Sequence, residues 1–305
     1  MTIQPNTLAT PPPAVEDLVI VGRRHIGRYV GAAAVVGFLI WLAVSMANAK
    51  LDWGVVGEYL TYPAILHGIL IAIVLTVVAM IIGIVMGVIT AIMRVSKNPV
   101  TAGVAWLYVW IFRGTPVYLQ LLMWFNVALI FPMVWVVGLG PVRTIDIVTP
   151  LVAAAIGLGL NQGSYTSEVV RSGILSVDEG QTEAATAIGM TRLRLMRRIV
   201  LPQAMRVIIP PLGNEVIGML KTTSLASAIG VTEILSEAQH IYFVNSRIME
   251  LLIVCAIWYL AVVSLLSIGQ FYLERTFAKG SSSRALPPTP MQRLQYILGT
   301  KRKLT

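Results

Sequence analysis

Two sets of polar side chains interrupt otherwise apolar stretches at spacings suited to chemistry. Asn161, Ser164, Tyr165, Glu168, Arg171 and Ser172 follow one another at intervals of three, one, three, three and one, so a helix through them carries a single polar stripe. Asn214, Glu215, Gly218, Lys221 and Thr222 fall on one side of a later helix. Glu215 and Lys221 are six apart and do not meet on that helix, so each must find a partner elsewhere. Two roles are open to them. A zwitterionic ligand would be held with its carboxylate at Lys221 and its ammonium at Glu215; alternatively both charges brace neighbouring helices or a gate. Glu168 and Arg171, three apart, can pair with each other. That pairing favours a structural role for Glu168 and leaves Asn161 and Tyr165 as the better candidates for a polar path.

Other chemistries lack their residues. His25, His67 and His240 are scattered, and no nucleophile lies beside a base, which argues against a hydrolase. Cys255 is the single cysteine, so an intrachain disulfide and a cysteine metal cluster are both excluded. The chain has no Gly-x-x-x-x-Gly-Lys-Ser/Thr loop, so any ATP hydrolysis must come from another chain.

The elements that position these residues are membrane helices. Charged residues make up only 12% of the 305, about half the share of a soluble globular chain. Runs free of Asp, Glu, Lys and Arg extend over Tyr29–Ala49, Tyr59–Met93, Gly114–Val142, Ile147–Ser167 and Leu251–Leu273. Each reaches the roughly 20 residues that cross a bilayer as a helix. A sixth candidate, Ala204–Thr223, is interrupted by charges that include Glu215 and Lys221. The expected fold is therefore all-α, with about six transmembrane helices.

The formal net charge of +9 invites a nucleic-acid reading, but the basic residues sit in loops and tails, not on a soluble domain. With the N-terminus inside, Arg23, Arg24, Arg28, Arg94, Lys97, Arg171, the arginines of 192–198, Arg206 and the tail after Arg275 are all cytoplasmic. Lys50, Arg143 and Arg247 remain outside. That asymmetry obeys the positive-inside rule and places both termini in the cytoplasm. Ala47-Asn48-Ala49 mimics a signal-peptidase site, but the apolar run before it is longer than a signal core, which favours an uncleaved anchor.

Several local signals refine the elements. Gly83 and Gly87 form a Gly-x-x-x-Gly pair suited to close helix packing. Pro99–Phe112 reads as a helix at the inner surface, and Thr115 and Pro116 as the cap and first residue of the third span. Arg113 reads first as a residue reaching headgroups and second as a ligand contact. Gly173 is expected to end the fourth span, and Pro210-Pro211 to break the fifth. Glu233 and Glu237 on an outer helix offer either an acidic docking surface or a solvated face.

Between the two polar sets lies a charged, glycine-punctuated segment, 179–202. Thr182 is a candidate N-cap, Glu183 suits the first turn, and Ala184, Ala185 and Ala187 are strong helix formers. Gly189 stops that helix; Thr191 caps a second, which carries Arg192, Arg194, Arg197 and Arg198 as far as Pro202.

Glu183-Ala184-Ala185, Gly189 and Ile199-Val200-Leu201-Pro202 resemble the EAA loop of permease subunits of ABC importers. Arg113-Gly114-Thr115-Pro116, Ser167–Gly173, Gly213-Asn214-Glu215 and Lys221–Leu225 are similar to the branch that imports polar amino acids. The resemblance covers about 59–274 and implies a five-helix permease core, to which the run 29–49 adds one N-terminal helix. It implies that 179–202 is a cytoplasmic coupling helix docked on an ATPase dimer through Glu183, Ala184, Ala185, Gly189 and Arg192. It further implies a second permease subunit, an extracytoplasmic amino-acid-binding protein and a bacterial plasma-membrane location. No cofactor is expected on this chain; ATP and Mg belong to the ATPase. The candidate substrate path is Asn161, Tyr165, Glu168, Asn214, Glu215, Lys221 and Thr222. Residues 1–28 are expected to be a disordered cytoplasmic tail, and 275–305 a basic tail near anionic lipid. The alternative is an ion-gradient-driven transporter with Glu168 and Glu215 as relay carboxylates, although the paired repeats common in that class are missing.

Overall fold

The computed structural model describes residues 26–48, 51–138 and 140–278. The expected tails at 1–25 and 279–305, and Ala49 of the signal-like tripeptide, lie outside the described residues. The chain divides at Leu51 into two units. The first holds helix α1 (Ile26–Ala47), 22 residues long and exposed along its described length.

The second unit is built on α3 (Pro63–Arg94) and α7 (Pro150–Leu175), which form its most extensive helix pair. Both have proline in the first turn, where its missing N–H costs nothing. Their closeness comes from glycine on both helices. A Cβ at Gly83 would lie 2.6 Å from Gln162, and one at Gly87 2.6 Å from Thr166; conversely, a Cβ at Gly159 would lie 2.6 Å from Ile82. The expected close approach at Gly83 and Gly87 is thus present, matched by Gly159 and Gly163 on the facing helix.

Around this pair run α2 (Trp53–Leu60), α4 (Pro99–Gly114), α5 (Val117–Phe125), α10 (Leu201–Thr222), α11 (Ile234–Asn245) and α12 (Ile248–Ala278). One buried cluster, with Leu75, Leu121, Leu158 and Met219, joins α3, α5, α7 and α10. A second, with Ile65, Ile234 and Leu251, joins α3, α11 and α12. A third, with Ala91, Val170 and Ile208, joins α3, α7 and α10. By length and hydropathy, α3 and α12 are the described helices that each suffice to cross a bilayer.

Two expectations change here. The run Gly114–Val142 is not one helix: after α5 comes an antiparallel hairpin, β1 (Met133–Val136) with β2 (Gly140–Arg143), then the short α6 (Thr144–Ile147), so the fold is not purely α. Gly138 and Gly140 have φ of +89° and +80°, which lets the chain reverse where continuous hydrophobicity alone suggests a helix. Gly173 does not end α7, which runs on to Leu175; the glycine instead admits Ile208 of α10 against the helix backbone. Pro210 and Pro211 interrupt the α10 ladder as expected, without ending the helix. They lie inside it, and Gln270 of α12 donates to the Pro210 carbonyl at 2.7 Å.

Glu233 does not contribute to an acidic surface. It is fully buried and caps α11, accepting from the Ser236 amide at 3.0 Å and the Tyr259 hydroxyl at 2.7 Å. Burial raises its pKa above the ordinary carboxylate value, and those two hydrogen bonds only partly oppose the shift.

Candidate functional site

The break between α4 and α5 borders a polar cleft. Pro116 has no N–H to offer the Phe112 carbonyl four residues back, so that acceptor is left without its helical donor. Asn161 of α7 donates to it at 2.9 Å and Gln120 of α5 at 3.0 Å, while the oxygen of Gln120 accepts from Asn161 at 3.2 Å. Thr115 does not cap α5 as expected. Its hydroxyl donates back to the Ile111 carbonyl at 2.8 Å and accepts from Gln120 at 2.7 Å. Three elements are locked together at a point where one helix would otherwise run through.

Beside this break lies a cleft of about 600 Å³, within the range of small-molecule sites. Arg113 and Thr115 line it from the α4–α5 break, Asn161, Gln162 and Tyr165 from α7, and Glu215, Gly218 and Thr222 from α10. Glu215 is held by Gln162 at 2.7 Å and Thr166 at 2.9 Å. Of the sequence candidates, Asn161, Tyr165, Glu215 and Thr222 come together here. Asn214 and Lys221 do not: both are exposed and neither lines the cleft. The reason is helical phase. Lys221 lies one residue before Thr222, about 100° round the helix, and Asn214 is displaced by the same angle from Glu215. The cation in the cleft is therefore Arg113, not Lys221.

Glu168 sits next to the cleft in an ion-pair cluster. Arg94 at the end of α3 and Arg171 both hydrogen-bond it, Arg171 at 3.1 Å, while Arg113 approaches at 3.5 Å. The expected pairing with Arg171 is present, and two further arginines from other helices join it. Arg113 also lies over the Tyr165 ring, 5.0 Å from its centroid, so it bridges cluster and cleft and is not simply a headgroup contact. Ser164, although on the expected stripe, is buried and bonded to the Asn161 carbonyl.

Gln162, Thr166 and Gln120 are the polar partners that sequence reading missed. Gln162 and Thr166 are four apart and hydrogen-bond each other at 3.1 Å. That spacing was the available signal: an amide and a hydroxyl on one face of an apolar helix require a polar partner on the helix opposite.

The 179–202 segment folds as helix, turn, helix. α8 (Glu179–Ala187) starts three residues before the expected cap: Asp178, not Thr182, is the N-cap, accepting from the Gly180 amide at 2.9 Å. A carboxylate cap followed by Glu179 suits the positive end of the helix better than a cap one turn later. At the other end Gly189 has φ +77°, its amide meets the Thr186 carbonyl, and Met190 reaches back to Ala185, a Schellman closure that needs glycine at this position. Glu183 and Ala184 are exposed, while Ala185 is turned inward and buried. Arg192 is exposed at the start of α9 (Arg192–Leu195), which passes through a π-helical turn at Met196–Val200 into α10. Among the described residues, no group of His, Cys, Asp and Glu is placed to hold a metal ion.

Comparison with known proteins identifies the family of the chain. The arginine transport system permease protein ArgU of Corynebacterium glutamicum is 47% identical over 265 residues, spanning 85% of this chain and 83% of that protein. The L-cystine transport system permease protein TcyB of Bacillus subtilis is 38% identical over 239 residues, 78% of this chain and 96% of its own length. A solved amino acid ABC transporter, crystallised with histidines, superposes with a TM-score of 0.65 at 32% identity, covering 74% of this chain and 99% of that one. The family model for the binding-protein-dependent transport system inner membrane component matches residues 83–279, from the α3–α7 glycine contacts to the end of α12. This chain therefore belongs to the family of inner membrane components of binding-protein-dependent transport systems.

Proposed function

We propose that this chain is the permease subunit of an ATP-driven importer that carries a polar amino acid across the bacterial plasma membrane. The observation that carries this reading is the cleft that Arg113 and Glu215 line together. A guanidinium suits an α-carboxylate, and a carboxylate suits an ammonium. Asn161, Tyr165 and Thr222 offer neutral hydrogen-bonding groups between them. This takes over the role first assigned to Lys221 and Glu215, with Arg113 as the cation. Glu168 then tethers helices beside the path, and Asn214 and Lys221 face outward, available to a second permease subunit. Since a relative 47% identical is named for arginine transport, a cationic amino acid heads the panel of substrates to test.

In this reading the membrane is crossed six times, by α1, α3, the bent α4–α5 pair, α7, α10 and α12. The α4–α5 pair takes the place of a single third span. Residues 59–274 form the permease core, and both termini are cytoplasmic. α8 is the coupling helix: it presents Glu183 and Ala184 to a groove of a cytoplasmic ATPase, while Ala185 and Gly189 hold its shape and Arg192 flanks the contact. ATP and Mg bind that ATPase, and this chain carries no cofactor. An extracytoplasmic binding protein delivers the substrate. The ion-gradient alternative has no support, because the family is one of binding-protein-dependent transporters.

The test is uptake of labelled amino acids by proteoliposomes containing this chain with its ATPase and binding protein, comparing wild type with Glu183→Lys. ATP-dependent uptake that the variant loses, together with weaker retention of the ATPase, is the expected result. Uptake that persists without the ATPase and follows an ion gradient would overturn the assignment.

A further inference from the structure

A second polar concavity shares no lining residue with the cleft. Thr191, Leu193, Arg194, Arg197 and Arg198 line an open groove of about 480 Å³. The three arginines are spaced three and one apart, so they share one helix face. All three are exposed, and among the described residues none makes an ion pair. Like charges on one helix face repel, so the unbound groove holds three cations whose mutual repulsion an anion would relieve.

Two further observations identify the anion. Arg198 and Arg194 lie three and seven residues before the first residue of α10, so both stand within about 10 Å of it. Where α10 enters the bilayer, that distance is headgroup depth. Apolar side chains are exposed beside the charges: Leu193, which also lines the groove, at 69%, and Met196 and Leu201 at 37% and 38%. A soluble phosphate would have no use for that apolar wall, whereas a lipid places its glycerol and upper acyl chain against it.

We propose that the groove formed by Thr191, Leu193, Arg194, Arg197 and Arg198 binds the phosphodiester headgroup of an anionic lipid. The guanidiniums take the phosphate oxygens, the Thr191 hydroxyl adds a donor, and Leu193 meets the glycerol end. Bound there, the lipid anchors the base of the 179–202 segment to the membrane surface, leaving α8 free for its partner. The inference rests on α10 being a span, and that can be tested separately. Thr191→Cys in a Cys255→Ala background should react with an impermeant maleimide in inside-out vesicles only; reaction in right-side-out vesicles would overturn the premise.

Native mass spectrometry of the full chain, purified in detergent with phosphatidylglycerol or phosphatidylcholine, tests the lipid directly and independently of transport. Wild type is expected to retain phosphatidylglycerol preferentially. Arg194→Gln, Arg197→Gln and Arg198→Gln should each lower that retention about fivefold. Arg197→Lys should keep most of it, which separates loss of charge from misfolding. Lys97→Gln, an exposed cation away from the groove, should leave it unchanged. Equal retention of both lipids by wild type, or an equal loss from Lys97→Gln, would reduce the effect to diffuse attraction and overturn the site. Competition by glycerol 3-phosphate as effective as that by lipid would make the ligand a soluble phosphate and also overturn it. So would arginine variants that keep the lipid but lose the ATPase, which would assign the groove to a protein contact.

Discussion

Asn161 donates to the carbonyl of Phe112 at 2.9 Å across 49 residues of sequence, filling the place that Pro116 leaves empty in the α4 hydrogen-bond ladder. A polar residue first read as lining a path also holds the path's wall in shape. Removing it with Asn161→Ala leaves the carbonyl with Gln120 alone and is expected to cost about 1 kcal/mol in chemical unfolding of the purified chain. Gln120→Ala should cost a similar amount. Because each amide covers for the other, the double variant should lose more than the sum of the two. Strict additivity would mean that the two amides do not share the carbonyl.

Arg113 and Arg94 touch the same carboxylate but answer to different needs. Arg94 is mostly buried at the end of α3, whereas Arg113 is 42% exposed, lies farther from Glu168 and lines the cleft. Arg94→Gln should destabilise the chain by about 2 kcal/mol, since it removes a charged hydrogen bond from a part-buried carboxylate. Arg113→Gln should change stability by less than about 1 kcal/mol and yet raise the KM of uptake about tenfold or more, as expected when a charged partner of the substrate is lost. A large stability loss with unchanged KM would make Arg113 a brace and leave the cleft without its carboxylate-binding group.

Gly87 of α3 and Gly218 of α10 differ in what faces them. Gly87→Ala places a methyl 2.6 Å from Thr166, a β-branched side chain fixed by its bond to Glu215. The expected cost is about 1–3 kcal/mol of overpacking, together with reduced uptake, because Thr166 must move away from the carboxylate. Gly218→Ala in α10 meets nothing within 4 Å. It should be neutral or stabilise by up to about 1 kcal/mol through helix propensity, while narrowing the cleft it lines. Equal destabilisation by both would contradict the packing described for α3 and α7.

These contrasts show which features the sequence makes readable. Helical phase and glycine spacing put Asn161, Tyr165, Glu215 and Thr222 on faces that line one cleft, and Gly83 and Gly87 at a close contact, because those relations are set within one helix. Lys221 and Asn214 lie outside that cleft for the same reason: a wide polar arc satisfies the pattern, but the cleft accepts only part of it. Gln120 serving Phe112, and Arg94 serving Glu168, depend on which helix lies opposite, which no local spacing encodes. The hairpin at 133–143 was hidden by its hydrophobicity, since an apolar run reads as a span until glycines with positive φ turn it. The start of α8 at Glu179, capped by Asp178, is not readable from local signals because two acceptable caps, Asp178 and Thr182, lie one helical turn apart.

Glu233 gives the chain a pH dependence of defined sign. Its carboxyl is buried at the head of α11 and its pKa is raised by that burial. An acid whose folded pKa lies above its unfolded value, about 4.3, stabilises the fold fully below the unfolded value and loses that contribution as pH rises through the folded one. Thermal unfolding of the purified chain should therefore show stability falling with pH from the ordinary carboxylate range upward, within a window set by this group. Glu233→Gln can still accept from the Ser236 amide, and its NH2 group can donate to the Tyr259 oxygen, so it keeps both contacts without a charge to desolvate. The variant should flatten that part of the profile and match or exceed wild type at neutral pH. If the slope is unchanged in Glu233→Gln, the buried carboxyl is not its source.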